Sequence, residues 1–143
     1  MRVATGSDHA GYQLKSLLAG RLAERGYEVV DLGAHSEDRV DYPDFGAAVG
    51  RAVAAGEADL GVCVCGSGIG IAMAANKISG IRAAVVHDTT SAALARMHND
   101  ANVVCFGQRL LDESVALEAL DAFLDAGFEG GRHVARVAKL DAL

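Results

Sequence analysis

Apolar residues gather in five short runs, and most are followed by a stretch in which apolar positions recur every three or four residues. The runs at positions 2–5, 28–32, 60–64, 81–86 and 102–106 read as strands. After the first, Leu14, Leu17, Leu18 and Leu22 fall on one helical face, and Gly26 stops that helix. Positions 33–42 are polar and irregular. Pro43 then opens a helix marked by Phe45, Val49, Ala52 and Val53, which Gly56 ends. Further helices are predicted over 71–77, 89–98, 112–126 and 132–140, the fifth carrying Val115, Leu117, Leu120 and Leu124 before Gly127.

Strand–helix alternation repeated five times predicts an α/β fold with a parallel sheet covered on both faces. The runs Val62-Cys63-Val64 and Val103-Val104-Cys105-Phe106 are apolar on both sides, as such burial requires. The expected strand order is 2-1-3-4-5, in one domain over 1–143. In open sheets of this kind a ligand binds beyond the strand carboxyl ends, where the strand order reverses. With the expected order the reversal lies between strands one and three. Asp8-His9 would then face Cys65-Gly66-Ser67 across one crevice.

The composition narrows the choice of partners. The chain has 143 residues, is 51% hydrophobic without Trp, and has a formal net charge of -6. That balance argues against nucleic acid, so any anion site must be a local cluster of Arg and His. Cys63, Cys65 and Cys105, odd in number and without framework spacing, read as reduced thiols of a cytoplasmic protein. No leader and no membrane span are expected, because Met1-Arg2 runs straight into the first strand and no apolar run is long enough to span.

The chemistry centres on Cys65-Gly66-Ser67-Gly68-Ile69-Gly70, between the third strand and its helix. Alternating glycines let backbone N–H groups converge on an anion, and a helix N-terminus favours the charged form of a thiol at Cys65. A dinucleotide fingerprint would need Gly where Ile71 stands and normally follows the first strand, although Asp88 lies near the expected ribose-binding position. A nucleotide P-loop would need G-K-[ST], which is missing. The remaining readings are an oxyanion or phosphoester cradle with Cys65 as its reactive group, and a merely tight turn beside a buried cysteine. Cys63-x-Cys65 has no second pair with ligand spacing, so no metal site is expected. Cys63 and Cys105 read as inert core residues. His9 gains weight from Asp8 beside it, and His98 from the polar run Arg96-Met97-His98-Asn99-Asp100. As the end of a helix leading into strand five, His98 should point away from Cys65 within one chain. It could then act only in a site shared across a symmetric dimer. Arg132 and Arg136, four apart, share a helical face and could clamp a phosphate, with Arg109 as a third cation. His35 and His133 read as surface residues, and His87 carries no assignment.

Taken together, Ser7-Asp8-His9-Ala10-Gly11, the glycine turn, Ala74-Ala75-Asn76-Lys77, Arg96-Met97-His98-Asn99-Asp100 and Glu129-Gly130-Gly131-Arg132-His133 with Arg136 resemble the type B ribose 5-phosphate isomerases. The wider family includes galactose 6-phosphate isomerase subunits and isomerases of other short sugar phosphates. The resemblance spans nearly the whole chain. It implies a Rossmann-like three-layer sandwich, a homodimer or homotetramer with sites shared between subunits, and aldose–ketose isomerisation through an enediolate. No cofactor or metal is implied. Carried onto this chain, Cys65 would be the base that moves a proton from carbon 2 to carbon 1. Ser67 would shuttle protons between the two oxygens, and His98 would open the furanose ring, with Asp8 near the ring oxygens. Gly66, Gly68, Ile69, Gly70 and Asn99 would hold the enediolate. His9, Arg109, Arg132 and Arg136 would bind substrate, mainly its phosphate, and Tyr42 would line the pocket. One branch uses a Glu just after the glycine loop as base; Ile71 excludes that variant here. Ribose 5-phosphate is the favoured substrate over allose 6-phosphate, galactose 6-phosphate or a four-carbon sugar phosphate. A non-catalytic nucleotide-binding module is the rival of a different class.

Overall fold

The computed structural model of the chain describes residues 1–143. Strands β1 (Arg2–Ser7), β2 (Glu28–Asp31), β3 (Leu60–Cys65), β4 (Ala83–Val85) and β5 (Val103–Gly107) form one sheet whose pairings are all parallel. Helices α1 (Tyr12–Glu24), α2 (Tyr42–Ala54), α3 (Ile69–Asn76), α4 (Thr89–Asn99), α5 (Glu113–Asp125) and α6 (His133–Asp141) alternate with and follow them. A 3-10 turn, His9–Gly11, leads into α1. No helix is long and apolar enough to cross a membrane.

Two apolar layers sandwich the sheet. On one face Leu14, Leu18 and Leu22 of α1 meet Val62, Val64, Val104 and Phe106, together with Ala92 of α4 and Leu120 and Phe123 of α5. On the other, Val49 and Ala52 of α2 and Ile71, Ala72 and Ala75 of α3 cover Ala4, Cys63, Cys65, Val103 and Cys105. Period-two alternation in β3 sends its two cysteines to one face and its valines to the other. Helix α4 starts at an Asp88–Ser91 capping box, with Asp88 Oδ1 accepting from Ser91 N at 2.6 Å. Asp88 is therefore engaged as a helix cap, which removes the one acid that favoured a dinucleotide reading.

The strand order is β2-β1-β3-β5-β4, not 2-1-3-4-5. The chain crosses from β3 to the far edge, makes β4, and returns to lay β5 against β3. Burial explains the exchange. Every residue of β5 is buried, whereas β4 is three half-buried residues. A strand apolar on both faces is most stable in the interior, and a short one suits an edge. The reversal between β1 and β3 survives the correction, and the loop after β5 now closes on the glycine turn.

Candidate active site

The β1 and β3 carboxyl ends carry the first group of residues. Asp8 N donates to Val64 O at 3.3 Å, which sets the 3-10 turn beside the end of β3. Asp8 is buried, and one carboxylate oxygen caps that turn by accepting from Gly11 N at 3.1 Å. His9 turns its Nδ1 to the backbone of Val40, 3.1 Å from the carbonyl oxygen. Cys65, the last residue of β3, is 4% exposed, and its Sγ accepts from Gly68 N at 3.1 Å. Ser67 Oγ accepts from Ile69 N at 3.2 Å. Gly68 takes φ +77 and presses on the end of β5: a Cβ there would lie 2.8 Å from Phe106 C. That backbone contact folds the glycine turn over the sulfur.

Arg109 and Tyr42 close the crevice. Arg109 N donates to Gly66 O at 3.0 Å, and a Cβ at Gly66 would sit 3.1 Å from an Arg109 guanidinium nitrogen. The cation therefore lies over the glycine turn of its own chain, a position that only the β3–β5 pairing creates. Gln108, not singled out by the sequence, braces this loop: its N donates to Cys65 O at 3.0 Å and its side chain accepts from Leu14 N at 2.9 Å. The Tyr42 ring lies on Gly70, where a Cβ would come within 2.6 Å of it. Cys63 and Cys105 are fully buried register partners in β3 and β5. A hydrogen bond between the Cys105 thiol and Cys63, together with burial, pushes the Cys105 thiol well up, which fits an inert core role.

The second group stands at the opposite, amino-terminal end of the central strands. His98 and Asn99 end α4, and Asn102 O accepts from Gly61 N near the start of β3. Cys65 lies four residues further along that strand, about 13 Å away at ~3.3 Å per residue. Asp100, at φ +45, ends α4, and both Arg82 and Arg96 bind its carboxylate. Glu129 N donates to Met97 O at 3.0 Å, and Gly130 and Gly131, both at positive φ, turn the chain back into α6. His133 is thereby folded under His98, ring centroids 4.4 Å apart and planes inclined by 14°. It is 6% exposed, so the expectation of a surface histidine is wrong; the double-glycine turn buries it. Burial, then Arg132 and His98, push its pKa down. Arg132 and Arg136 are exposed and make no ion pair with an acid of this chain. His35, as expected, is exposed.

One chain thus holds two separated groups: Asp8, His9, Tyr42, Cys65–Gly70 and Arg109 at the carboxyl ends of the strands, and His98, Asn99, Arg132 and Arg136 at the amino-terminal side. Glu129 went unassigned in the sequence and His133 was read as a surface residue, although both lie in the Glu129–His133 motif.

Known proteins resemble this chain over nearly its whole length. The family model described as Ribose/Galactose Isomerase matches residues 3–140. Ribose-5-phosphate isomerase B of Escherichia coli (strain K12) is 47% identical over 142 residues, 99% of this chain and 95% of that protein. The solved ribose-5-phosphate isomerase B of Clostridium thermocellum superposes with a TM-score of 0.98 at 49% identity, over 99% of this chain and 96% of its own. That of Mycoplasma genitalium, with bound ribulose-5-phosphate, gives 0.94 at 41% identity, over 99% and 94%. Fold and sequence agree over nearly the whole chain, and the chain belongs to the ribose/galactose isomerase family.

Proposed function

We propose that the chain interconverts ribose 5-phosphate and ribulose 5-phosphate through an enediolate, with Cys65 as the base, in sites built from two copies of the chain. The observation that carries the reading is the Cys65 sulfur. It sits at the mouth of a glycine turn, receives a main-chain N–H at 3.1 Å, and has Arg109 lying over the same turn. Membership in the isomerase family and the substrates in its relatives' names support the reaction class.

In the proposed reaction His98 of a second copy opens the furanose ring by moving a proton between the ring oxygen and the anomeric hydroxyl, with Asp8 near those oxygens. The Cys65 thiolate takes the proton from carbon 2. The freed electron pair forms the carbon 1–carbon 2 double bond, and the carbonyl electrons move onto oxygen 1. Main-chain N–H groups of Gly66 to Gly70, with the second copy's Asn99, hold that charge. Preorganised donors of this type contribute ~10²–10³ in rate. Ser67 passes a proton between the two oxygens, and the Cys65 thiol returns its proton to carbon 1. General-base help contributes ~10²–10⁴. His9 and Arg109 of one copy, with Arg132 and Arg136 of the other, hold the substrate and chiefly its phosphate, where guanidinium geometry suits the oxygens. Tyr42 lines the pocket. The reaction so written needs no cofactor.

Two features support the shared site. The groups needed lie at opposite ends of the strands of one chain. Exposed apolar side chains also flank both: Ile69 and Met73 on α3 beside the glycine turn, Leu94 on α4 and Val134 on α6 beside His98. A two-fold dimer that joins these surfaces builds two identical sites, and two such dimers make a tetramer. Free cysteines and the sugar-phosphate substrate fit a cytoplasmic enzyme.

The test is complementation. Cys65→Ala and His98→Ala chains, each inactive alone, form heterodimers with one intact site. At equal mixing about a quarter of wild-type activity should return. Proven heterodimers without recovery sink the shared site. A kcat/KM panel over four-, five- and six-carbon sugar phosphates, with NAD and ATP titrations as controls, decides the substrate. A six-carbon preference would select the family's other branch, and nucleotide binding without turnover would select the rival class.

A further inference from the structure

The Glu129–Gly130–Gly131–Arg132–His133 turn builds something the isomerase reaction does not require. The His98 and His133 rings stack with planes 14° apart, and the Nε2 of each lies 3.9 Å from the same Glu129 carboxylate oxygen. That separation is too long for a hydrogen bond. The His133 Nε2 is buried with no hydrogen-bond partner, in a residue 6% exposed, and it faces the carboxylate. A buried ring nitrogen without a partner has lost its water and gained nothing in exchange, so the arrangement calls for something that the nitrogen can bind. The three ligand atoms all lie within 4.8 Å of one another.

We propose that His98, Glu129 and His133 form a site for a divalent transition-metal ion, zinc foremost, and that its occupation inhibits the enzyme by engaging His98. Two imidazoles and one carboxylate are a donor set that zinc takes with a fourth position left to water. The preference over magnesium or calcium follows from the nitrogen ligands. Zinc bonds of ~2.0–2.1 Å in a tetrahedron put neighbouring ligand atoms about 3.3 Å apart, so each 3.9 Å gap must close by roughly 0.6 Å, and because an imidazole nitrogen binds a metal in its ring plane, the His98 ring must also turn out of its near-parallel stack on His133. His98 and Glu129 are 35% and 43% exposed and have room to make that movement, while buried His133 provides the rigid corner. Arg132 and Arg136 nearby oppose a cation. The site is therefore one that fills when zinc is raised, not a resident cofactor site. The metal holds the lone pair that His98 would use on the ring oxygen. This inhibitory half rests on the role proposed above for His98; the binding half does not.

The experiment is a calorimetric titration of the full chain with Zn²⁺, paired with activity measured at each zinc concentration and again after EDTA. Wild type and Cys65→Ser should both bind one ion per chain, since the thiol is not a ligand. Glu129→Gln, at a half-exposed position that leaves folding intact, should weaken binding at least ~10-fold. It should also retain wild-type turnover without zinc and resist inhibition with it. His133→Asn should weaken binding similarly. Zinc binding that Cys65→Ser abolishes and Glu129→Gln leaves untouched would put the metal on the catalytic thiol and overturn the proposal. So would the lack of any saturable binding. Binding that follows Glu129 but leaves activity unchanged would overturn the inhibition and count against the ring-opening role of His98, with the metal site standing.

Discussion

Replacing Gly68 with Ala tests how the glycine turn is held over Cys65. Two penalties apply. Gly68 has φ +77, where a Cβ costs about 1–2 kcal/mol in any L residue. The added Cβ would also lie 2.8 Å from Phe106 C and 3.0 Å from Phe106 O and Gly107 N. These are backbone atoms of a buried central strand, so no side chain can swing aside. Overpacking of this kind costs about 1–3 kcal/mol more. Gly26→Ala provides the reference: its φ is +85, and nothing lies within 4 Å of a Cβ there. It should show the conformational penalty alone. The gap between the two variants should thus be about 1–3 kcal/mol, or roughly 1 M in the urea midpoint for m near 2 kcal/mol/M, at one fixed protein concentration. Gly20→Ala, mid-helix with open space, should stabilise by about 0.5–1 kcal/mol and bound the series from the other side. Activity should separate the variants further. Moving the turn draws the Gly68 amide off the sulfur it meets at 3.1 Å, and kcat should fall by ~10²–10³ in Gly68→Ala alone. Equal midpoints for Gly68→Ala and Gly26→Ala would refute the claim that the end of β5 clamps the glycine turn.

Cys65→Ser should lose at least ~10² in kcat, and thiol alkylation should abolish turnover, while chelators leave it intact; a serine variant of near wild-type rate would eliminate the thiol as base. Arg109→Ala should raise KM for the sugar phosphate roughly 10- to 100-fold with little loss of stability, as expected for one charged hydrogen-bonding group removed from an exposed position; an unchanged KM would place the phosphate elsewhere. Lys15 is 1% exposed, with its Nζ 2.7 Å from Asp31 and 2.5 Å from Ala34 O. Lys15→Met should lower stability by about 1–3 kcal/mol, since half-exposed Asp31 regains water but the Ala34 carbonyl does not; a wild-type urea midpoint would disprove this. Asp31 itself sits below the ordinary carboxylate range: burial opposes its charge, but hydrogen bonds from Lys15 and Gly33 outweigh it. A lowered folded pKa gives stability that is fully present above the unfolded value near 4 and is lost as pH falls through the lower one. Asp31→Asn should therefore flatten the acid limb of a stability–pH curve below about pH 4 and leave neutral pH dependence unchanged.

The alternation of elements and the glycine turn with Cys65 at its mouth were legible in the sequence because each rests on local chemistry. Apolar period selects strand or helix, glycine permits a tight turn, and a thiol beside alternating glycines stands out. The pairing of Asp8 with the end of β3 followed from the reversal rule and was found. The order of β4 and β5 was not legible. Either arrangement satisfies the same local periods, and the choice turns on which strand loses more by standing at an edge. All-buried Val103–Gly107 won over three half-buried residues. That single choice put Arg109 above Gly66 and the β5 backbone against Gly68. The burial of His133 was hidden for a related reason. Its neighbours in sequence are polar, and only the fold of Gly130 and Gly131 against the end of α4 brings it beneath His98. Short-range pattern thus determined which groups the protein carries. Long-range competition for burial decided which of them meet, because contact between distant residues depends on the free energy of the whole packing and leaves no periodic trace along the chain.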